Sequence, residues 1–223
     1  VELVKLLLSA HPEKLRELYE LGITATIMPE FDAMMKTVQN NPHHCYTVGE
    51  HTIHALEETA VQETATQETA AQETAAQKAG IEKHVTQDRM LRLAVLFHDF
   101  GKPSCRTTDE AGIDHFYGHA AVSEELAKTI LKRLKFDNDT YRTVTRLVFY
   151  HDYKVGPGRR GVRRAMAKMG EDIFPLLLQV KRADLLAQSD YNRDEKLKEL
   201  AEIRKNYEEV LAEKECVSLK TLA

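Results

Sequence analysis

His98 and Asp99 stand side by side at the end of the largely apolar stretch 91–97, where neither residue type serves packing. Carboxylates are rarely buried unless they are paired or bound to a metal. An imidazole beside a carboxylate at such a point suits the holding of a divalent cation, and a cation so held commonly acts on phosphate. Ligation needs several side chains converging on one point, and other segments offer them: His51, His119, His151 with Asp152, and Asp184. Asp184 stands out because it lies within the apolar segment 176–186, where an unpaired carboxylate is costly. Any of these histidines taken alone reads as a surface residue or a hydrogen-bonded core residue. The order of a lone His, a His-Asp pair and a late Asp on separate helices is what lifts the set above coincidence.

The elements that must position these residues are helical. Apolar residues recur at spacings of three and four over 1–9 and 12–21, with Gly22 as a stop. A shorter mixed stretch covers 23–35, and Asn40-Asn41-Pro42 makes a turn. Further helices are expected over 47–57, 88–98, 119–134, 140–150, 160–169 and 173–188, then a long charged one over 194–214. Strand signals are nearly absent, so the expected class is all-α. Between the helices bearing His51 and His98, residues 58–77 repeat a five-residue ETAxQ unit with Val61 as the one large apolar residue. A period of five matches neither a helical face nor a heptad. The repeat could extend a helix, since Ala, Glu and Gln favour one; it is read here as a solvent-exposed, low-complexity insertion at about 58–87 without catalytic role.

Composition bounds the alternatives. The 223 residues suffice for one substantial core, and 43% hydrophobic with 30% charged residues fits a soluble globular protein. A net charge of −4 leaves no global basic field for nucleic acid, so such binding needs a local patch. Three cysteines, Cys45, Cys105 and Cys216, show no CxxC spacing, which argues against a disulfide framework or zinc knuckle and for a cytoplasmic home. No apolar run approaches the roughly 20 residues that span a bilayer, and no signal peptide is visible. The chain opens on Val1 without Met, directly in a helical pattern, as a processed product or a piece of a longer protein would.

The pattern resembles the HD superfamily of metal-dependent phosphohydrolases, an all-α family with a compact helical bundle named for its His-Asp pair. The resemblance rests on LFHDFGKP at 96–103, a close match to the family's central motif. It narrows further. HHCYTVGEHTIHALE, RLAVLFHDFGKP, GHAAVSEELAKTIL, TRLVFYHD and KRADLLAQS together look like the HD region of bacterial tRNA nucleotidyltransferases of the poly(A) polymerase type. This likeness covers most of the chain outside the repeat. It implies a divalent metal on His51, His98, Asp99 and Asp184, with His119 and His151 available to a second metal or a substrate phosphate. It also implies an organisation of a neck-like segment at 1–40, an HD domain at 41–190 and a charged helix at 191–223. The nucleotide-adding head of those enzymes, with its Gly-Ser motif and paired aspartates, has no counterpart in these residues, so this chain alone is not expected to add nucleotides.

Mixed imidazole and carboxylate donors suit Mn, Fe, Ni, Co or Zn better than an all-oxygen cage, with Mg admitted. Asp99 can combine ligation with contact to an attacking water. Lys102, about one turn on, can neutralise a phosphate oxygen, or is a solvated lysine before Pro103. Asp152 can orient His151. His54, three residues after His51, reads as a neighbour without function; His43 and His44 precede the site helix and can meet a ligand at its rim, and His115 is a weaker candidate. Lys154, Arg159, Arg160, Arg163, Arg164 and Lys168 surround a Gly-Pro-Gly turn and read either as a solvated helix face or as an edge for RNA or a nucleotide phosphate. The last helix carries Leu197, Leu200, Ile203, Tyr207 and Val210 as a stripe that packs on the body. The expected activity is a metal-dependent phosphohydrolase acting on a nucleotide or an RNA end, with tRNA as a candidate partner. The alternative is a non-catalytic RNA- or nucleotide-binding module. Sequence leaves the oligomeric state open.

Overall fold

A computed structural model describes residues 2–67, 75–156 and 158–220, with side chains described for 2–60, 84–156 and 158–213. The chain runs through α1 (Glu2–Leu7), a 3-10 turn at Pro12–Lys14, α2 (Leu15–Glu20), α3 (Thr24–Ile27) and α4 (Pro29–Lys36). Then come α5 (Val48–Gln67), α6 (Ala75–Phe97) and α7 (Lys102–Cys105). The remainder holds α8 (His119–Arg133), α9 (Asn138–Tyr150), α10 (Gly158–Met169), α11 (Phe174–Ala187) and α12 (Arg193–Lys220). The protein is all-α in class, as expected.

Boundaries differ from the sequence reading where local chemistry intervenes. The mixed stretch 23–35 is two helices, broken at Met28 (φ −155°) because a residue before proline avoids helical backbone. The helix expected over 47–57 continues to Gln67, and the one expected from 88 begins at Ala75, so the Ala-, Glu- and Gln-rich repeat is helical backbone on both sides. Residues 68–74, and the side chains of 61–83, lie outside the described residues. Of the insertion's ends, Thr59 is buried and Val85 is exposed. Between α7 and α8, where the sequence shows no strand signal, lies a short antiparallel hairpin, β1 (Thr107–Thr108) with β2 (Asp114–His115), in the register Thr107 to His115.

The centre of the bundle is the second half of α6. From Met90 to Phe97 every residue is buried, whichever face it occupies, so this helix belongs inside the others. α5, α8, α9 and α11 pack around it. Arg92 is buried among them, and its guanidinium donates to the carbonyls of Leu7 and Ser9, tying α1 to the core. α9 starts at a capping Asp137, whose carboxylate accepts from the Thr140 N–H at 2.8 Å. α10 lies on α12, and α12 sinks Ile203 and Val210 into the body.

One glycine decides how α6 meets α8. A Cβ on Gly101 would lie 2.4 Å from the His119 carbonyl oxygen and 2.8 Å from the Ser123 nitrogen. Only a residue without a side chain permits that approach, and the Gly101 N–H uses it to donate to Ser123 Oγ at 2.8 Å. The start of α8 is thereby brought against the end of α6, where the chemistry-bearing residues lie.

Candidate metal centre

Each candidate donor comes from a different part of the bundle. His51 is on α5, His98 and Asp99 follow the last residue of α6, His119 opens α8, His151 directly follows α9, and Asp184 is on α11. Their positions obey a common device. His98, His119 and His151 each donate Nδ1–H to the carbonyl three residues earlier: Val95 at 2.6 Å, Phe116 at 2.8 Å and Val148 at 2.7 Å. His51 Nδ1–H donates to the Ala187 carbonyl on the far helix at 3.3 Å. A carbonyl only accepts, so the proton is fixed on Nδ1 and the Nε2 lone pair of every ring faces inward.

Those inward atoms converge in two groups. Ligand atoms of His51, His98 and Asp184 lie within 4.8 Å of one another, and so do those of Asp99, His119 and His151. Asp99 sits between the groups. Its Oδ2 is 3.2 Å from His98 Nε2 and 3.7 Å from His51 Nε2, while its Oδ1 is 3.4 Å from His119 Nε2 and 3.8 Å from His151 Nε2. Asp184 Oδ1 stands 2.9 Å from His51 Nε2 and 3.8 Å from His98 Nε2, and accepts from Gln188 Nε2 at 3.2 Å.

The donor chemistry fits a cation. His119 Nε2 and His151 Nε2 face each other at 3.0 Å although both rings have their proton on Nδ1. Two lone pairs so placed repel unless a proton or a metal lies between them. His98 Nε2 and Asp99 Oδ2 are buried without a hydrogen bond of sound geometry, an arrangement that proteins otherwise avoid. The site's ionisation points the same way. Burial opposes charge on His98, yet the carboxylates of Asp99 and Asp184 outweigh it and hold its pKa up to about 10. Burial would raise Asp99 and Asp184, but their histidines, with Lys102 beside Asp99, hold both carboxyls well below the usual range. His151, by contrast, is pushed down to about 3 by burial and by the His98 charge. Two ionised carboxylates among imidazoles whose Nε2 faces inward make a donor set that a divalent ion can occupy by displacing the His98 proton.

Lys102 is not the solvated lysine that its place before Pro103 allows. It is buried, with Nζ 2.7 Å from Asp99 Oδ2 and donating to Gln39 Oε1 at 2.9 Å. His44 Nε2 is 3.5 Å from the same ammonium, and burial together with that charge lowers the His44 pKa to about 2. Gln39 and His44 thus belong to the site's surroundings, although Gln39 carries no sequence signal. Lys181, partly buried on α11, donates to the His151 carbonyl at 2.6 Å and so steadies the turn bearing that ring. Asp152, exposed next to His151, lines the clefts on both sides of the centre.

These clefts, of about 460 Å³ and about 610 Å³, meet at His43, His44, Asp152, Asp184 and Gln188. The first reaches Asp99, His119, His151 and Asp184, and the second reaches Asp184. His54 turns away, its Nδ1 2.7 Å from Glu57. In the basic cluster the arginines divide. Arg159 pairs with Glu213 on α12 at 2.6 Å, and Arg163 pairs with the same carboxylate, whereas Arg160 and Arg164 are exposed on α10. Lys168 lies over the Tyr153 ring, 4.7 Å from its centroid.

Residues 44–189 match the family model described as HD domain, which is more than half of the chain. The chain therefore belongs to the HD domain family. Residues 1–35 match a second model, described as "Probable RNA and SrmB- binding site of polymerase A". Among curated relatives, the CC-adding tRNA nucleotidyltransferase of Thermus thermophilus is 31% identical over 212 residues, covering 94% of this chain and 42% of that protein. The A-adding tRNA nucleotidyltransferase of Deinococcus radiodurans is 28% identical over 74% of this chain and 33% of its own length. A bifunctional uridylyltransferase/uridylyl-removing enzyme of Ruegeria pomeroyi is 32% identical over 66% of this chain and 14% of its own length. The chain spans less than half the length of each of these relatives. None of the described helices is long and apolar enough to cross a membrane.

Proposed function

We propose that this chain is a metal-dependent phosphohydrolase acting on a phosphomonoester or phosphodiester of a nucleotide or RNA end. The observation that carries the reading is the 3.0 Å approach of His119 and His151 through their unprotonated nitrogens, beside the buried His98 Nε2 that makes no hydrogen bond of sound geometry. His51, His98, Asp99 and Asp184 would hold a divalent transition metal such as Mn, Fe, Ni, Co or Zn, or Mg. His119 and His151, with Asp99 between the groups, would hold a second ion or the substrate phosphate. When bound, such an ion supplies a water of lowered pKa and positive charge against a phosphate oxygen. The protein's own contribution is orientation. Backbone carbonyls fix each imidazole, Lys102 keeps Asp99 ionised, and the buried setting of the donors strengthens every charge interaction. The likeness to proteins named as uridylyl-removing supports removal of a nucleotidyl group as chemistry within reach of this bundle.

A second reading, a binding module for RNA, is favoured by the match of residues 1–35 to a probable RNA-binding region and by the exposed Arg160 and Arg164. In either case residues 1–40 act as a neck, 41–190 as the metal-holding body and 191–223 as a charged C-terminal segment whose α12 packs on α10. Metal analysis of purified protein separates the readings. It is to be followed by assay on bis-p-nitrophenyl phosphate and 2′,3′-cyclic AMP with added Mn, Ni or Co. The hydrolase reading expects turnover that is lost in His98→Ala and Asp99→Ala, and a fall of about 10- to 100-fold in Lys102→Met. A wild type that binds metal yet is as inert as its variants would leave the module reading standing.

A further inference from the structure

Tyr117 is the most exposed large aromatic side chain among the described residues, with 79% of its surface open, yet it is not loosely held. Its ring lies parallel to that of His115, with centroids 5.3 Å apart and planes inclined by 6°. His115 is itself braced: its Nε2–H donates to Asp109 Oδ2 at 2.8 Å, leaving Nδ1 to accept from the Tyr117 hydroxyl at 3.4 Å. Asp109 in turn accepts from the backbone of Ala111 and Ile113, each at 2.9 Å. One face of the Tyr117 ring is thus covered by an imidazole fixed to the hairpin, and the ring remains open to solvent elsewhere.

The position of this ring matters as much as its exposure. Tyr117 and His115 line the same cleft as Asp99, Lys102, His119 and His151. Tyr117 is separated from His119 by Gly118 alone, which takes a left-handed turn (φ 78°), so the two Cα atoms are at most about 7 Å apart. A phosphoester engaged at His119 would place its next substituent beside the Tyr117 ring. Rigid, exposed aromatic faces beside a phosphate site are what nucleobases stack on, whatever their identity.

We propose that Tyr117, stacked on His115 at the lip of the cleft, is the platform for a nucleobase, so that this centre takes a nucleoside phosphoester in preference to a base-free one. This rests on reading the centre as a phosphoester site. A mononucleotide and the end of an RNA chain present the same chemistry to the ring.

The chain contains no tryptophan, so Tyr117→Trp installs a sole tryptophan at the platform, excited selectively over the remaining tyrosines. Titration with AMP, 2′,3′-cyclic AMP and a short oligoadenylate is expected to quench it, and ribose 5-phosphate is expected not to. Tighter binding of the oligoadenylate identifies an RNA end, and equal affinities identify a free nucleotide. By calorimetry on otherwise wild-type protein, Tyr117→Ala should weaken AMP binding by about 5- to 150-fold, as loss of one stacking aromatic does. Tyr117→Phe should restore it. Unquenched fluorescence at nucleotide concentrations that saturate the wild type, or an alanine variant that binds AMP as tightly as wild type, overturns the platform. So does a wild type that hydrolyses base-free esters and binds no nucleotide, an outcome that leaves the hydrolase reading intact. Quenching by nucleotides in a protein that hydrolyses nothing supports the platform and removes the hydrolase.

Discussion

Gly101→Ala tests the joint on which the site depends. Its backbone is ordinary right-handed helix (φ −79°, ψ −17°), where alanine would normally stabilise by about 0.4–1 kcal/mol through the unfolded chain. Here the added Cβ would stand 2.4 Å from the His119 carbonyl oxygen, and ordinary contact begins at 3.4 Å, so α8 must retreat by about 1 Å. Overpacking of that kind costs about 1–3 kcal/mol. For a chain of this size that corresponds to a fall in Tm of about 2–12 °C. The same retreat carries His119 away from Asp99, now 3.4 Å apart. A misplacement of about 1 Å at a reacting centre lowers rate by about 100-fold. Thermal melts and turnover on 2′,3′-cyclic AMP read both effects. A variant that melts with the wild type and keeps full turnover refutes the close-approach argument.

Other expectations follow from single contacts. Asp137→Ala removes the cap of α9 and should lower stability by about 0.5–2 kcal/mol in chemical denaturation; no change means that the cap contributes nothing. The folded-state pKa of His44 is lowered to about 2 from 6.5, so its neutral burial stabilises at neutral pH and that contribution is lost as pH falls below 6.5. Metal-free His44→Gln should therefore lose less Tm than wild type between pH 7.5 and pH 5, and parallel losses would contradict this. Glu213→Gln breaks exposed pairs with Arg159 and Arg163 and should change stability by less than about 1 kcal/mol by denaturant titration. Replacing Arg160 and Arg164 by Gln should leave Tm unchanged and reduce the salt slope of tRNA binding by about 1.4–1.8. An unaltered slope assigns these arginines to a merely solvated face.

The candidate donors stand out in the sequence because they interrupt apolar patterns. His98 and Asp99 end a stretch that is buried on all sides, and Asp184 falls inside another, positions where only a partner or an ion justifies a polar group. His151 repeats the arrangement of His98, a ring after an apolar run with its Nδ1 bonded three residues back. What sequence does not carry is pairing across long separations. Lys102 before Pro103 gives no sign of its burial, which depends on Gln39 and His44 from more than fifty residues away. Arg92 looks like an interruption of an apolar helix until the carbonyls of Leu7 and Ser9 supply its partners. The hairpin at Thr107–Thr108 and Asp114–His115 has too few residues to show alternation. Its Asp109–His115–Tyr117 chain could have been suspected only from the closeness of Tyr117 to His119.

A metal held by the inward-facing side chains is what the proposed chemistry needs most. Crystals grown with Mn, and data collected at its absorption edge, measure this directly. Anomalous density is expected among His51, His98, Asp99 and Asp184, and should be absent from crystals of His98→Ala. Protein saturated with metal that shows no density at these side chains would contradict the account.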